Sequence, residues 1–317
     1  MAVTVGTPYA GSSPSTAYSG SAATGTFIPE IWSGKLIEKF YAATVLAAIA
    51  NTDYEGEISK MGDKVKIRTK PTITIRTYTT DQALVVERPS SSTVELDISS
   101  AYYFNEVLDD VMELQSDLNM LSMWADDASE QLKITIDTAV LASIDGNINA
   151  SNVGLTAGKI SANINLGTTG TPVVLTPATV LNYIVDMGTV LDEQNIPETG
   201  RWLTLPPWVA GMIKKSDLRN ASISGDGSSM LRNGRLGMID RFTLYASNLL
   251  PTATEGSATA WRIFAGHPHG LTFASQISKI ETLRSEQTFG TLLRGLQVYG
   301  SKVLDGIALT ELYAIRG

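Results

Sequence analysis

The chain has 317 residues and a formal net charge of −8 at pH 7, from 24 basic and 32 acidic side chains. Its apolar fraction of 43% and charged fraction of 18% are typical of a globular protein that can bury a core. The negative charge argues against a general nucleic-acid-binding protein, and the absence of cysteine excludes disulfides, thiolate metal sites and cysteine nucleophiles. The most apolar stretch, residues 40–50, is too short to cross a bilayer, so no membrane partner is predicted.

The first 50 residues are predicted to form an arm followed by a helix. Residues 1–26 carry no charged side chain and are mostly small and polar, a composition that buries too little apolar surface to fold by itself. We therefore interpret them as a flexible arm that only a partner would order. Pro29 suits the first turn of a helix, and apolar side chains at helical spacing continue to Leu46, so a helix is predicted that ends between Asn51 and Gly56.

Residues 51–98 are predicted to form an extended, basic β-hairpin. Over residues 62–82, apolar and basic side chains alternate, which predicts two strands with one aliphatic and one cationic face; Ile73 and Ile75 lie in the second strand. Alternation in residues 93–99 predicts a further strand that re-enters a sheet. An isolated hairpin is marginally stable in water, so it is expected to lie against another surface. The cations predicted to make that contact are Lys64, Lys66, Arg68, Lys70 and Arg76.

A long, acidic helix is predicted over residues 117–146, because apolar side chains recur at spacings of three and four from Leu118 to Ala142. It would contain about 27 residues and measure about 40 Å, and Gly146 suits its C-terminal end. No basic side chain occurs in this acidic region before Lys133. The acidic residues predicted to form an interface, on the helix and just before it, are Asp109, Asp110, Asp117, Asp126, Asp127 and Glu130.

The basic hairpin and the acidic helix are complementary in charge. If the hairpin of one copy contacts the helix of the next copy, the contact is head-to-tail and can close into a ring. The alternative is that the cations only keep an exposed strand edge soluble. Adjacent carboxylates on a helix point in different directions, so the acidic pairs predict an interface or a solvated face and not a shared metal.

The second half of the chain alternates shorter elements. A helix is predicted over residues 176–197, with Thr176 as its N-cap and Pro177 in its first position. Residues 201–207 read as a buried strand that ends in two prolines and is followed by a short helix. From Gln276 onwards the sequence predicts two long strands and a short final strand.

Local patterns for catalysis are weak. The two histidines, His267 and His269, lie in the turn GHPHG, with no acidic cluster beside them in sequence. A surface turn is favoured over a metal site, and a metal-dependent hydrolase centred on these histidines stays as an alternative. The chain lacks a nucleophile elbow and a phosphate-binding glycine loop. Hence no catalytic, cofactor-binding or metal-ligating residue, and no cofactor, is predicted.

Taken in chain order, these parts resemble the major capsid proteins of tailed bacteriophages, which have the phage Hong Kong ninety-seven capsid fold. Two segments carry the resemblance in their residues. Near the C-terminus, an arginine-containing strand leads to the pattern G-x-x-x-Y-G-x-x-V, from Gly295 to Val303. The stretch RLGMIDRFTLYASNLLP is similar to a coat-protein segment in which G-x-hydrophobic-x-G precedes a strand and S-N-hydrophobic-P. In this chain Arg241 stands in place of the second glycine.

The resemblance implies an α+β fold with an N-terminal arm, an extended β-hairpin loop, a long spine helix, a peripheral domain and an axial domain. The implied divisions are an arm with the first helix at 1–50, the hairpin loop at 51–98, the peripheral domain with the spine helix at 99–160, the axial domain at 161–274, and C-terminal strands at 275–317 that return to the peripheral domain and then to the axial domain.

The resemblance also implies a function without catalysis. The chain would be the structural subunit of an icosahedral virus capsid, self-assembling as hexamers and pentamers that enclose double-stranded DNA non-specifically. Its location would be the virion capsid, assembled in the cytoplasm of a bacterial host. Implied partners are other copies, a portal and a separate scaffolding protein, with a decoration protein as a further candidate. One alternative is an encapsulin-like compartment shell. The other is a tail-associated glycan-binding protein, and the predicted long helix argues against this second alternative.

Overall fold

The structure, a computed structural model, describes residues 41–42, 44–53, 64–71, 73–91, 93–110, 120–216, 237–286 and 288–317. These residues belong to one unit of the chain, Tyr41–Gly317. The arm predicted over residues 1–26 lies outside them, as does most of the predicted first helix.

Helices and strands alternate along the described part of the chain. The α-helices are α1 (Leu46–Ile49), α2 (Met120–Ile144), α3 (Val180–Glu193) and α4 (Pro207–Lys215). The strands are β1 (Lys64–Arg68), β2 (Thr93–Asp97), β3 (Ser100–Asp109), β4 (Val173–Leu175), β5 (Arg201–Leu205), β6 (Met238–Ile239), β7 (Phe242–Ala246), β8 (Thr252–Glu255), β9 (Ala258–Gly266), β10 (Leu271–Arg284), β11 (Gly290–Val303) and β12 (Leu309–Arg316).

The first helix is shorter than predicted in the part that the structure describes. Residues 41–42 and 44–45 are not helical, so the prediction of a helix through them is wrong. The physical reason is a contact from another element, because the carboxylate of Asp137 in α2 accepts the backbone N–H of Val45 at 2.8 Å. That bond fixes the start of α1, which ends after a single turn at Ile49.

The hairpin pairs different strands from those predicted within residues 62–82. β1 pairs antiparallel with β2, with Lys64 opposite Asp97. Ile73 and Ile75, predicted to form the second strand, are exposed and lie outside any regular strand. β1 pairs with β2 because Val65 and Ile67 pack against a small core that β2 helps to form. The buried members of that core are Leu96, Ile98 and Ala274. Ile73 and Ile75 of the second predicted strand pack against no core in the described residues.

A three-stranded antiparallel sheet in the order β10-β11-β3, which we call the peripheral sheet, packs against α2. β10 and β11 each have 14 residues, about 48 Å when extended, which confirms the two long C-terminal strands. In its C-terminal half, α2 buries Ile136, Val140 and Leu141. Ala142, which the periodicity placed on the buried face, is exposed. Gly146 follows the helix with a φ of 77°, which fits the predicted C-terminal stop.

The other large sheet has seven strands in the order β4-β12-β9-β5-β7-β6, with β8 beside β9. We call it the axial sheet. α3 and α4 cover it, and their apolar faces supply much of its core. The short final strand β12 is confirmed and lies between β9 and β4. A second core joins α2 to this sheet through Trp202, Phe264 and Leu309.

The N-cap predicted for α3 is wrong by three residues. The amides of Thr179 and Val180 both donate to the carbonyl of Thr176, so a turn precedes the helix and Thr179 becomes the N-cap. The amide of Thr176 also donates to the Thr179 hydroxyl at 3.1 Å. Thr176 therefore belongs to the turn before the helix, and Thr179, three residues later, takes the N-cap position that was predicted for Thr176. Among the described residues, no helix is both long enough and apolar enough to span a membrane.

Candidate inter-subunit surfaces

The cations at the base of the hairpin are paired within their own strand pair. Lys64 Nζ lies 3.2 Å from Asp97 Oδ1, and Lys66 Nζ lies 3.2 Å from Glu95 Oε1. Both lysines are solvent-exposed, and cross-strand pairs of this kind contribute little energy individually. The acidic side chains of β2 therefore neutralise most of the positive charge of β1, although β1 by itself is strongly basic in the sequence.

The cations beyond the base have different surroundings. Arg76 pairs with Glu87 on the returning side of the loop. Within the part of the chain that the structure describes, Arg68 and Lys70 have no ion-pair partner, and the same is true of Arg88, which was not among the predicted interface cations. The uncompensated positive charge of the hairpin thus lies at the end of β1 and near the two ends of the loop that follows it, which consists of residues 69–71 and 73–91 in the described part of the chain.

The loop is also markedly apolar, a feature that the charge pattern concealed. Ile75 is 89% exposed and Val86 is 87% exposed. Further exposed apolar side chains of the loop are Ile73, Tyr78, Leu84 and Val85. An exposed apolar set of this size is typical of a surface that another protein covers. The run Leu84–Val86 was the available signal, and it was missed because it follows no strand or helix period.

The acidic residues fall on two parts of the fold. Asp109 ends β3 and Asp110 follows it, where the Asp110 carboxylate accepts two hydrogen bonds from Arg284 of β10. Asp117 lies outside the described residues. The structure therefore does not bring all the predicted acids to one place.

The other three acids form what we call the acidic helix surface, Asp126, Asp127 and Glu130 of α2. Their spacings of three and four residues place them near one another on the helix. Asp127 accepts a hydrogen bond from the Tyr41 hydroxyl at 2.7 Å, which raises the pKa of Tyr41 to about 12. Glu130 accepts from Lys133 at 2.6 Å, and Asp126 has no ion-pair partner among the described residues.

A second apolar surface lies on the peripheral sheet. Tyr103 and Val107 lie on the same face of β3, and Leu296 stands opposite Tyr103 on the neighbouring strand. Leu283 of β10 belongs to the same face through its pairing with Leu292. Tyr103 is 78% exposed, which is unusual for an aromatic side chain in the middle of a strand. Alternation in the β3 sequence was the available signal for this face, and it was missed.

The glycine–tyrosine pattern of the C-terminal strand has a packing explanation. The Phe104 ring lies over Gly295, where any side chain would collide with it. Tyr299 stacks on Tyr102 and Phe273, with ring centroids 5.9 Å and 5.7 Å apart. Gly300 lets the carbonyl of Asp97 approach β11, so the base of the hairpin lies directly against the peripheral sheet.

Arg241, the departure from the second pattern, lies in the tight turn between β6 and β7. Ile239 pairs with Phe242, so Asp240 and Arg241 are the two turn residues, with φ of 47° and 67°. Positive φ at both positions is the type I′ geometry, which glycine adopts most readily. The guanidinium of Arg241 lies 2.7 Å from Asp192, so it gains an ion pair that glycine would lack.

The two histidines lie in the turn between β9 and β10. His267 Nδ1 accepts the backbone N–H of His269 at 3.2 Å, which is a local turn contact. Burial and the neighbouring His269 lower the pKa of His267. Among the described residues, no group of three His, Asp or Glu side chains could hold a metal ion. The geometry is that of the surface turn favoured by the sequence.

Comparisons with known proteins agree with this architecture. The model of a family described as phage capsid protein matches residues 104–312, well over half of the chain. No protein of curated function matches the chain.

Several solved structures that match this fold have titles that name phages. A chain of Mycobacterium phage Che8 is 24% identical, with a TM-score of 0.73 over 90% of this chain and 96% of that chain. The capsid of cyanophage P-SCSP1u is 16% identical, with a TM-score of 0.67 over 92% and 94% of the two chains. The mature capsid of bacteriophage PhiM1 is 14% identical, with a TM-score of 0.66 over 91% of each chain.

These structures establish the fold, and the family match extends from β3 through the spine helix and both sheets to β12. Membership of that family makes the protein structural, without a catalytic role. The chain belongs to the phage capsid protein family and is a major capsid subunit with the phage Hong Kong ninety-seven fold.

Proposed function

We propose that copies of this chain associate as hexamers and pentamers in an icosahedral shell, and that the hairpin loop of one copy contacts the acidic helix surface of the next. The observation that carries the proposal is the loop itself. It exposes six large apolar side chains, and two cations beside it, Arg68 at the end of β1 and Lys70 just after, have no ion-pair partner in the described part of the chain.

The base and the tip of the hairpin have separate roles in this proposal. The base is held by its own chain, through the small core beneath Val65 and Ile67 and through the cross-strand pairs of Lys64 and Lys66. The residues available to a second copy are therefore those from the end of β1 onwards. Five cations were predicted to make the contact, and the structure favours Arg68 and Lys70, with Arg76 occupied by Glu87.

The acidic helix surface is a suitable partner in charge. Asp126 is exposed and has no ion pair among the described residues, and the Glu130–Lys133 pair is exposed. An exposed pair at this helical spacing contributes only about 0.3–0.5 kcal/mol. A neighbouring arginine could therefore replace Lys133 at Glu130 at little cost, and bidentate arginine–carboxylate contacts are stronger than lysine contacts.

A charge-reversal experiment tests the contact. The variant Arg68→Glu with Lys70→Glu should fold but should not form shells, because two carboxylates would face the acidic helix surface. The matched control is Lys64→Gln with Lys66→Gln, which removes two cations from the same strand that are already paired within the chain. Sedimentation and negative-stain microscopy measure assembly, and circular dichroism measures folding. Normal shells from the reversed variant would remove the electrostatic contact from the proposal.

The remaining partners and the location are proposed on the family resemblance and the charge. A subunit with a net charge of −8 offers few free cations to phosphates, which suits DNA that is enclosed without tight binding. A portal, a separate scaffolding protein and a decoration protein are further proposed partners, and assembly is proposed in the host cytoplasm. Co-expression with neighbouring genes, followed by identification of the proteins in purified shells, tests these partners together. The five domain divisions also stay predictions.

A further inference from the structure

Asp137 of α2 is a buried carboxylate with one unused oxygen. The residue is 1% exposed. Its Oδ2 accepts the amide of Val45 at 2.8 Å, whereas its Oδ1 accepts no hydrogen bond among the described residues. Burial raises the pKa of Asp137, although the amides of Val45 and Leu46 act in the opposite direction. A carboxylate oxygen left unpaired in a core is costly, so a donor for it is to be sought nearby.

A cavity of about 260 Å³ lies beside this carboxylate. Water occupies about 30 Å³ per molecule in the liquid, so the cavity has room for the end of a long side chain. The residues that line it come from residues 44–52, α2, β10 and β11: Thr44, Leu46, Ala47, Ala50, Thr52, Lys133, Ile136, Asp137, Phe273 and Gln297. Among the described residues that line it, Lys133 is the single cation.

Lys133 lies between two carboxylates on the same helix. It is three residues after Glu130 and four residues before Asp137, and both spacings place side chains about 5–6 Å apart at their Cβ atoms. In the structure its ammonium group is hydrogen-bonded to Glu130, 2.6 Å away, on the exposed side of the helix. An exposed pair of this kind is easily exchanged, whereas a donor that reached Asp137 Oδ1 would satisfy a buried charge.

We propose that Lys133 is a two-position switch that couples subunit contact to the attachment of residues 44–51. When cations of a second copy occupy Glu130, Lys133 turns into the cavity and donates to Asp137 Oδ1. Asp137 then holds Lys133 through one oxygen and Val45 through the other. Pairing with Lys133 favours the ionised form of Asp137, so the existing Asp137–Val45 hydrogen bond becomes charge-assisted, and the segment that carries α1 is held more firmly to the spine helix on assembly. This proposal rests on the proposed function, because the trigger is the contact between a hairpin loop and the acidic helix surface.

The switch is tested in unassembled full-length subunits, where no second copy is needed. Glu130→Gln removes the competing charge and should release Lys133 towards Asp137. Hydrogen exchange of the peptide that covers residues 44–53 should then slow by about tenfold, as expected when the acceptor of its hydrogen bond changes from a neutral to a charged group. The pKa of Asp137, followed through its carboxyl carbon by NMR, should fall in the same variant.

Two further variants separate the switch from a general effect of lost charge. Adding Lys133→Met or Asp137→Asn to Glu130→Gln should restore exchange at residues 44–53 to the unmodified rate or faster. Asp126→Asn removes a carboxylate from the same helix surface but leaves the Glu130–Lys133 pair in place, so it should leave this exchange unchanged. The proposal is overturned if Glu130→Gln does not slow the exchange, or if the slowing persists without the lysine.

The two proposals fail in different experiments. Normal shells from the Arg68 and Lys70 reversal would overturn the contact that triggers the switch. Unchanged exchange in the Glu130→Gln subunit would overturn the movement of Lys133 while leaving the contact intact. In assembled shells, the peptide over residues 44–53 should exchange more slowly than in free subunits, and Lys133→Met should abolish that difference.

Discussion

Arg241 occupies a turn position whose backbone conformation favours glycine. A left-handed conformation costs a residue with a side chain about 1–2 kcal/mol. Arg241 offsets this cost through its guanidinium, which contacts Asp192 at 2.7 Å and Glu198 at 2.9 Å. Asp192 also pairs with Arg201, whose side chain is fully buried. The departure from the coat-protein pattern is thus compensated by an ion-pair network that spans α3, β5 and the β6–β7 turn.

Asp192 should make the stability of the subunit depend on pH. Burial alone would raise its pKa, but the guanidinium groups of Arg201 and Arg241 outweigh burial and lower the pKa below its ordinary value. A carboxyl with a lowered pKa contributes stability above its unfolded-state pKa, and this contribution is lost as the pH falls through the folded-state value. Asp192→Asn should therefore reduce the free energy of unfolding at neutral pH by at most about 1 kcal/mol, because solvent screens the partly exposed Asp192 carboxylate.

Urea unfolding of free subunits from neutral pH to about pH 3 checks this prediction. The difference between the original chain and Asp192→Asn should be largest at neutral pH and should narrow below about pH 4. Glu286→Gln is a control at an exposed position and should show no comparable difference. If the stability difference between the original chain and Asp192→Asn grew as the pH fell, the lowered pKa of Asp192 would be contradicted.

At the scale of elements, the attachment of the hairpin to the peripheral sheet depends on the absence of a side chain at Gly300. A methyl group there would meet the backbone carbonyl of Asp97, which cannot move without displacing β2. Gly300→Ala should destabilise the subunit by about 1–3 kcal/mol, the usual cost of overpacking. Hydrogen exchange should increase in β1 and β2 more than in β5 or β9.

Gly211 of α4 provides the matched control for Gly300. Nothing lies within 4 Å of the position that its Cβ would occupy. Gly211→Ala should therefore be neutral or stabilise the subunit by up to about 1 kcal/mol, because alanine favours a helix interior. Equal destabilisation by both substitutions would show that Gly300 has no special role in packing.

The apolar loop makes a prediction for the whole molecule and its assembly. Ile75→Ser with Val86→Ser should leave the free energy of unfolding of the subunit within about 0.5 kcal/mol, because both side chains are exposed. Shell formation should require at least about a tenfold higher subunit concentration, since burial of each side chain contributes about 1.5–3 kcal/mol. Light scattering over a concentration series measures the threshold.

Thr74→Ser with Thr77→Ser is the control in the same loop, because it changes two exposed polar side chains conservatively. Its assembly threshold should match that of the original chain. An unchanged threshold for the apolar variant would show that the loop does not become buried between copies.

Sequence reasoning succeeded where a signal extends over many residues in one element. The spine helix and the long C-terminal strands were predictable because each repeats its period several times. The strand that pairs with β1 was not predictable, because alternation indicates a strand without indicating which strand lies beside it. Asp137 could not be recognised as buried, since its partner Val45 is 92 residues away in sequence. The pairing of Lys66 with Glu95 was hidden for the same reason.

The long β10–β11 ladder has a mechanical consequence. Its strands pair antiparallel over nearly their whole length, and the Leu271 end of β10 lies in the core that joins α2 to the axial sheet. A pull directed along these strands loads the backbone hydrogen bonds in shear, so that many bonds resist together. A pull across the strands would open them one at a time. The subunit is therefore expected to be stiff along β10 and compliant across it, which gives a stretched shell a preferred direction in which to yield.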